Sequence, residues 1–158
     1  MHRIDDIDVT ILELLQDSGR MKRNAIAEIV GLSVPSVSDR MRKLEERGVI
    51  TGYHAVVAPK RFHMDITSFI RVIVDGSTNY DNFVNEVLVF PEVQEVHSIT
   101  GEGSHILKVR SRNTTTLEQI LSKIQALPGV HSTSTSIVLS TFKETRKIKP
   151  FTTELTEQ

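Results

Sequence analysis

The chain contains no cysteine and no tryptophan, only 5% aromatic residues, and no marked excess of either charge, its formal net charge being −1 at pH 7. Each scarcity excludes something. Without cysteine there are no disulfides and no thiolate zinc ligands, which fits a cytoplasmic protein. No apolar run approaches the roughly 18–20 residues that a membrane-spanning helix needs. The opening segment carries Asp5, Asp6 and Asp8 where a secretory signal would be uninterruptedly apolar. A net charge near zero gives no global attraction for nucleic acid, so any DNA-binding surface has to be local. The remaining composition, 39% hydrophobic and 25% charged over 158 residues, suits one globular domain or two small ones.

The first third is helical by periodicity. Ile4, Ile7, Ile11, Leu14 and Leu15 recur at helical spacing between Ile4 and Gly19, with Asp5 as cap and Asp6 and Asp8 in the first turn. A second, short helix is predicted over Asn24–Val30, with Ala25, Ile26 and Ile29 inward and Gly31 as its stop. In the third, Ser33 is the N-cap and Pro35 sits in the first turn, where its missing N–H costs nothing. Val34, Val37, Met41 and Leu44 form one buried stripe, and Ser36, Ser38, Asp39, Arg42, Lys43 and Glu46 point away from it. Gly48 ends this helix, and Ile50 to Val57 reads as a strand.

Two short helices, a turn glycine and a third helix opening on small polar residues are what a helix-turn-helix requires; its second member enters the major groove N-terminus first. The DNA-facing candidates are Ser33, Val34, Pro35, Ser36, Ser38, Asp39, Arg40, Arg42 and Lys43. Serines let the backbone approach phosphate, while Arg42 and Lys43 reach phosphates or base edges. Between positions 20 and 47 there are seven Arg or Lys against four Asp or Glu, a modest excess that a dimer doubles. A plain helical bundle with a solvated charged face satisfies the periodicity equally; the capped, proline-bearing third helix is what favours DNA. Arg40 flanks the buried stripe and admits two roles, an ion pair with a first-helix carboxylate or a phosphate contact.

The rest of the chain repeats itself at an offset of 37 residues. Phe69-Ile70-Arg71-Val72 aligns with Ile106-Leu107-Lys108-Val109; Tyr80, Phe83, Val84 and Val87 with Leu117, Ile120, Leu121 and Ile124; Phe90-Pro91-Glu92-Val93 with Leu127-Pro128-Gly129-Val130. Each copy reads as strand, amphipathic helix and strand, so the pair predicts a ferredoxin-like βαββαβ domain, with an antiparallel sheet backed by two helices. One sheet face is left bare. Either Ser132, Ser134 and Ser136 or Thr133, Thr135 and Ile137 lie on it, since a shift of one residue exchanges the two sets. A bare face holding Val, Ile or Phe calls for burial by a homo-oligomer.

The order of these parts resembles the Lrp/AsnC (feast/famine) family of transcription regulators. The residues that carry the resemblance run from Ile4 to about Lys143. They are Asp5-Asp6-Ile7-Asp8, Ile11-Leu12, Ile26-Ala27-Glu28, Gly31-Leu32-Ser33, Arg40-Met41-Arg42-Lys43-Leu44-Glu45, Gly48-Val49-Ile50, Gly52-Tyr53, Thr100-Gly101, and Gly129-Val130 with Thr133 and Thr135. The resemblance implies an α+β protein: a winged helix-turn-helix at 1–50, a wing or hinge strand and linker at 51–64, a ferredoxin-like effector and assembly domain at 65–143, and a tail at 144–158. It implies a regulator binding pseudo-palindromic double-stranded DNA as a homodimer that assembles to tetramer or octamer. It further implies an amino-acid or other small effector held by the loop Thr100, Gly101, Glu102, Gly103, Ser104 and His105, with Thr133 and Thr135 nearby. Two glycines there would let backbone N–H groups cradle a carboxylate, or would simply make a turn. Ser104 stands where an acidic residue is usual, His105 where an aromatic follows, and Lys22 where Ser or Thr caps the second helix.

No catalytic constellation, metal set or cofactor motif is apparent. The six histidines are scattered and none pair at i, i+4. On the same fold, sirohaem decarboxylases are the enzyme alternative, but their Arg cluster and His motif are not seen after the hinge. An assembly module without a ligand is a third reading, opposed by the intact Ser33-to-Lys43 helix. The tail carries Lys143, Arg146, Lys147 and Lys149, compatible with packing on a neighbour, touching DNA or disorder.

Overall fold

In the computed structural model, which describes residues 3–154, the chain divides into two compact units. One holds the N-terminal segment as far as Val56 together with the chain from Glu144 onward; the other is Val57–Lys143. The last four residues of the expected tail, 155–158, lie outside the described residues, as do 1 and 2.

In the first unit, β1 (Arg3–Ile4) leads into α1 (Asp6–Asp17). Asp5 accepts from the Asp8 amide at 2.9 Å and Asp8 accepts from the Asp5 amide at 3.4 Å, a reciprocal capping box. α2 (Arg23–Val30) has no side-chain cap at Lys22, and it ends at Gly31, whose φ of 68° is the left-handed stop that glycine permits. α3 (Val34–Glu46) is capped by Ser33 and carries proline in its first turn. Ile11, Leu15, Ile26, Ala27, Val37 and Met41 form the shared core.

Two expected inward residues are not inward. Ile29 is 57% exposed because it lies about 60° round α2 from Ile26, on the side away from Ala27 and Val30. Val34 is 41% exposed, since the first turn of α3 projects beyond its neighbours. The expected hinge strand Ile50–Val57 is also not a strand: residues 51–58 run without secondary structure. A strand is completed by a ladder partner, and no segment of this chain pairs with it among the described residues. Val56 is consequently fully exposed.

The tail is part of the first unit. β6 (Thr153–Glu154) pairs antiparallel with β1. Gln16 donates to the Ile148 carbonyl at 3.0 Å and accepts from its amide at 2.8 Å, while Lys147 Nζ lies 2.5 Å from Asp17 Oδ1. The structure shows a role outside the three named for the tail: it packs on this chain's own helical unit, not on a neighbour.

The second unit realises the 37-residue repeat. Its elements are β2 (Ile66–Val74), α4 (Tyr80–Leu88), β3 (Val93–Ser98), β4 (His105–Ser111), α5 (Thr114–Gln125) and β5 (Val130–Ile137). The antiparallel sheet has the order β3-β4-β2-β5, the ferredoxin-like arrangement. Ile70, Val72, Leu107, Val109, Phe83, Val87, Ile120 and Ile124 fill the space between sheet and helices. The copies differ at one helix start. Asn113 forms a capping box with Thr116 and α5 begins directly; at the equivalent place Gly76 offers no cap, and Ser77–Asn79 forms a 3₁₀ turn before α4.

The register also settles which side of β5 is which, because directly opposed residues share a face. Ile70 faces Thr135 and Val72 faces Thr133, on the helix side; Phe69, Arg71 and Ile73 face Ser136, Ser134 and Ser132 on the open side. Phe69 and Ile73 are 38% and 43% exposed there.

Candidate nucleic-acid interface and effector site

The N-terminus of α3 presents the small polar surface expected of it. Ser33 Oγ lies 3.3 Å from the Ser36 amide and 2.8 Å from its hydroxyl, and Val34, Pro35 and Ser36 are exposed around this cap. One turn on, Pro35, Ser38, Asp39 and Arg42 line an open depression together with Arg23 and Glu45. Arg23 and Glu45 were not among the sequence-derived candidates; the signal available was only that α2 and α3 pack together in a helix-turn-helix, bringing the start of one beside the body of the other.

The cations of α3 are not equivalent. Arg40 turns inward: its Nη1 lies 2.8 Å from both Asp5 Oδ2 and Asp8 Oδ1, and the Asp8 side chain is 1% exposed. Of its two open roles the structure shows the ion pair, which joins the middle of α3 to the capping box of α1. Burial opposes the charge on both Arg40 and Asp5, but hydrogen bonds outweigh it: those to Asp8 and then Asp5 raise the arginine, and those from the Asp8 amide and then Arg40 lower the aspartic acid. Arg42 and Lys43 face outward yet are bonded along the helix. Arg42 lies 2.5 Å from Asp39 and 2.6 Å from Glu46, and Lys43 lies 2.7 Å from Asp39. Bonds from Lys43 and Arg42 hold the Asp39 carboxyl below its usual range. At the far end of α3, the Tyr53 hydroxyl donates to Glu45 at 2.8 Å; burial first, then this carboxylate, pushes the phenol up to about 12. Tyr53 thereby fastens the segment that follows α3 to that helix.

The expected effector residues fall into four groups. Thr100, Gly101 and Glu102 are exposed at the tip of the β3–β4 loop, and Gly101 and Gly103 have φ of 95° and 96°. A Cβ on Gly103 would stand 3.3 Å from the Val72 carbonyl, so this glycine is a close-approach position. Ser104 is locally engaged. Its amide donates to Val72 at 2.9 Å, its hydroxyl donates to the same carbonyl at 3.1 Å and accepts from the Val74 amide at 3.0 Å. His105 is a core residue, 2% exposed, with its ring 4.9 Å from Tyr80 and 5.0 Å from Phe83. Burial pushes its pKa down, so it packs as a neutral aromatic surrogate. As a ligand contact it is corrected, for β4 alternates and position 105 falls on the helix side. Thr133 accepts from Gln125 at 2.8 Å, and Thr135 is exposed on the same edge strand. Thr133 pairs with Val72 from one side of β2 while Ser104 bonds Val72 from the other. Loop and threonines therefore stand about two strand spacings, roughly 10 Å, apart. Among the described residues no three His, Asp or Glu side chains converge on a metal-sized site.

Comparison with known proteins bears on both units. Residues 4–51 match the model of a winged helix-turn-helix DNA-binding domain, and residues 67–148 match the Lrp/AsnC ligand binding domain. The chain is 34% identical to HTH-type transcriptional regulator FL11 of Pyrococcus horikoshii over 145 residues, covering 92% of this chain and 95% of that one. It is 33% identical to the regulatory protein AsnC of Escherichia coli over 148 residues, 93% and 97% of the two chains. Among solved structures, that of E. coli AsnC superposes with a TM-score of 0.87 at 33% identity, covering 93% of this chain and 99% of that chain. A feast or famine regulatory protein from M. tuberculosis, complexed with L-methionine, gives 0.87 at 32% identity with the same coverage.

Proposed function

The chain belongs to the Lrp/AsnC family of transcription regulators, and from that premise we propose how its residues divide the work. It is a helix-turn-helix DNA-binding regulator with an Lrp/AsnC ligand-binding domain. In the proposed division, α3 enters the major groove, with Ser33, Ser36 and Ser38 close to phosphate and Arg42 and Lys43 reaching phosphates or base edges. Arg40 holds α3 against α1 and does not touch DNA. The observation that carries this reading is the α3 surface itself: a capped, proline-started helix whose exposed side gathers small polar and charged groups while Val37, Met41 and Leu44 are buried beneath it.

The second unit is proposed to bind an amino acid through the backbone of Thr100–Gly103 and the edge threonines, with Ser104 shaping the loop. A methionine complex in a relative of the same fold supports an amino acid as the chemical class. The open sheet face, with Phe69 and Ile73 exposed, is proposed to be covered by a second copy, giving the two-fold partner that a pseudo-palindromic operator requires. The reading is of a binding protein in the cytoplasm rather than an enzyme; nothing in the comparisons supports the decarboxylase alternative. Selecting bound duplexes from a random pool, with and without each of the twenty amino acids, tests it. A symmetric motif whose recovery changes with one amino acid is expected; recovery of no motif would overturn the reading.

A further inference from the structure

Three carboxylate–cation contacts run along the outer face of α3, and they cancel the charges that DNA binding would use. Asp39 bonds Arg42 through one oxygen and Lys43 through the other, while Glu46 takes the second arm of Arg42. All four side chains are 41–58% exposed, and pairs of this spacing in solvent add little to folding. With Arg40 committed to α1, the outer face balances two cations against two anions. A phosphate backbone gains affinity from cations whose counterions it can release. A helix that supplies its own counter-charges gains little, and brings carboxylates toward the phosphates.

We propose that Asp39 is the specificity-determining residue of this helix: it restrains Arg42 and Lys43 on non-cognate DNA and accepts from the N4 amino group of a cytosine in the operator. The proposal rests on the reading of α3 as the DNA-contacting helix. Asp39 is the sixth residue of α3 and shares the depression with Pro35 and Ser38, in the half of the helix that leads into the groove. Each carboxylate oxygen has a second lone pair, so Asp39 can accept from a base while keeping its helix partners. Cytosine is the fitting donor. Adenine also offers an amino group, but its own N7 acceptor lies beside it and would face the carboxylate, whereas cytosine carries no acceptor of its own beside N4 in the major groove, only a C5–H edge. Where no donor is present the carboxylate is left facing phosphates, and binding weakens.

The test compares full-length wild type, D39N and R42A/K43A by selection from random duplexes, followed by affinity for the selected site and a scrambled duplex across a salt series. Asp39 bonds only within its own helix among the contacts described, so D39N is expected to fold, checked by circular dichroism. For D39N, affinity for the scrambled duplex should rise, its salt slope should steepen by about one, and the ratio of cognate to scrambled affinity should fall about tenfold. Cytosine should lose its preference at one position in each half-site. An unchanged ratio and motif, or an equal gain on both duplexes, would overturn the proposal while leaving the reading of α3 intact. If R42A/K43A instead binds like wild type, the reading of α3 itself fails.

Discussion

Removing Arg40 should destabilise the DNA-binding unit far more than removing any other cation of α3. Its Nη1 bridges Asp5 and Asp8, each at 2.8 Å, but the two acids differ: the Asp5 side chain is 43% exposed and that of Asp8 only 1%. The Asp5 contact is largely solvated and worth at most about 1 kcal/mol. Taking the Arg40 cation away from the buried Asp8 carboxylate costs up to about 3–5 kcal/mol. The long bond from the Asp5 amide, at 3.4 Å, and the further interaction that Asp8 makes relieve part of this. Arg40→Ala should therefore cost about 3 kcal/mol, or about 15 °C in the melting of so small a unit. The two tyrosines, Tyr53 and Tyr80, fall in different units, so in a Y80F background Tyr53 fluorescence follows this unit's urea transition alone. D8N/R40M, which removes both charges, should recover most of the loss, since replacing a buried pair by neutral groups of similar volume is often close to neutral. An R40A transition within about 0.5 kcal/mol of the parent would refute the reasoning.

Other outcomes follow from the ferredoxin-like unit. The His105 pKa is depressed below its ordinary 6.5 by burial, so the neutral ring stabilises the fold above that pH, and the contribution is lost as pH falls toward the lowered value. H105F, which keeps the packing on Tyr80 and Phe83, should flatten the loss of thermal stability between pH 7 and 5; an unaltered pH profile would count against the assignment. The Ser68 hydroxyl is fully buried without a hydrogen-bond partner, so S68A should raise stability by about 1 kcal/mol in urea denaturation. An amino acid that binds the β3–β4 loop should, at 100 times its dissociation constant, stabilise the chain by about 2.7 kcal/mol. Thermal melts with all twenty should single it out, and no shift with any would remove the amino-acid reading.

Most of this architecture was legible from residue patterns because it is built on local rules. The Asp5 cap, the Ser33–Pro35 helix start, the Gly31 stop and the 37-residue repeat each announce themselves within a few positions. What escaped depends on partners far apart in the chain. Nothing near Gln16 marks it as the anchor of Ile148, and nothing in Ile50–Val57 reveals that this apolar alternating stretch finds no ladder partner among the described residues. The direction of β5 could not be read because its Ser/Thr alternation looks alike from either face; it took the Val72–Thr133 register to decide. At the site, helical spacing gathers the α3 candidates on one element but does not separate their roles. A helical wheel places Arg40 beside the buried stripe, whereas only the packing of α1 shows it bound to Asp8. The His105 reading failed for the same kind of reason. Its neighbours in sequence are loop residues, while its neighbours in space are Tyr80 and Phe83.

The account stands on α3 being the surface that holds DNA, and the salt dependence of binding by R42A/K43A examines that most directly. On the operator recovered by selection, the double variant should bind more weakly than wild type, with the slope of log affinity against log salt reduced by up to about two. An affinity and slope equal to those of wild type would contradict it.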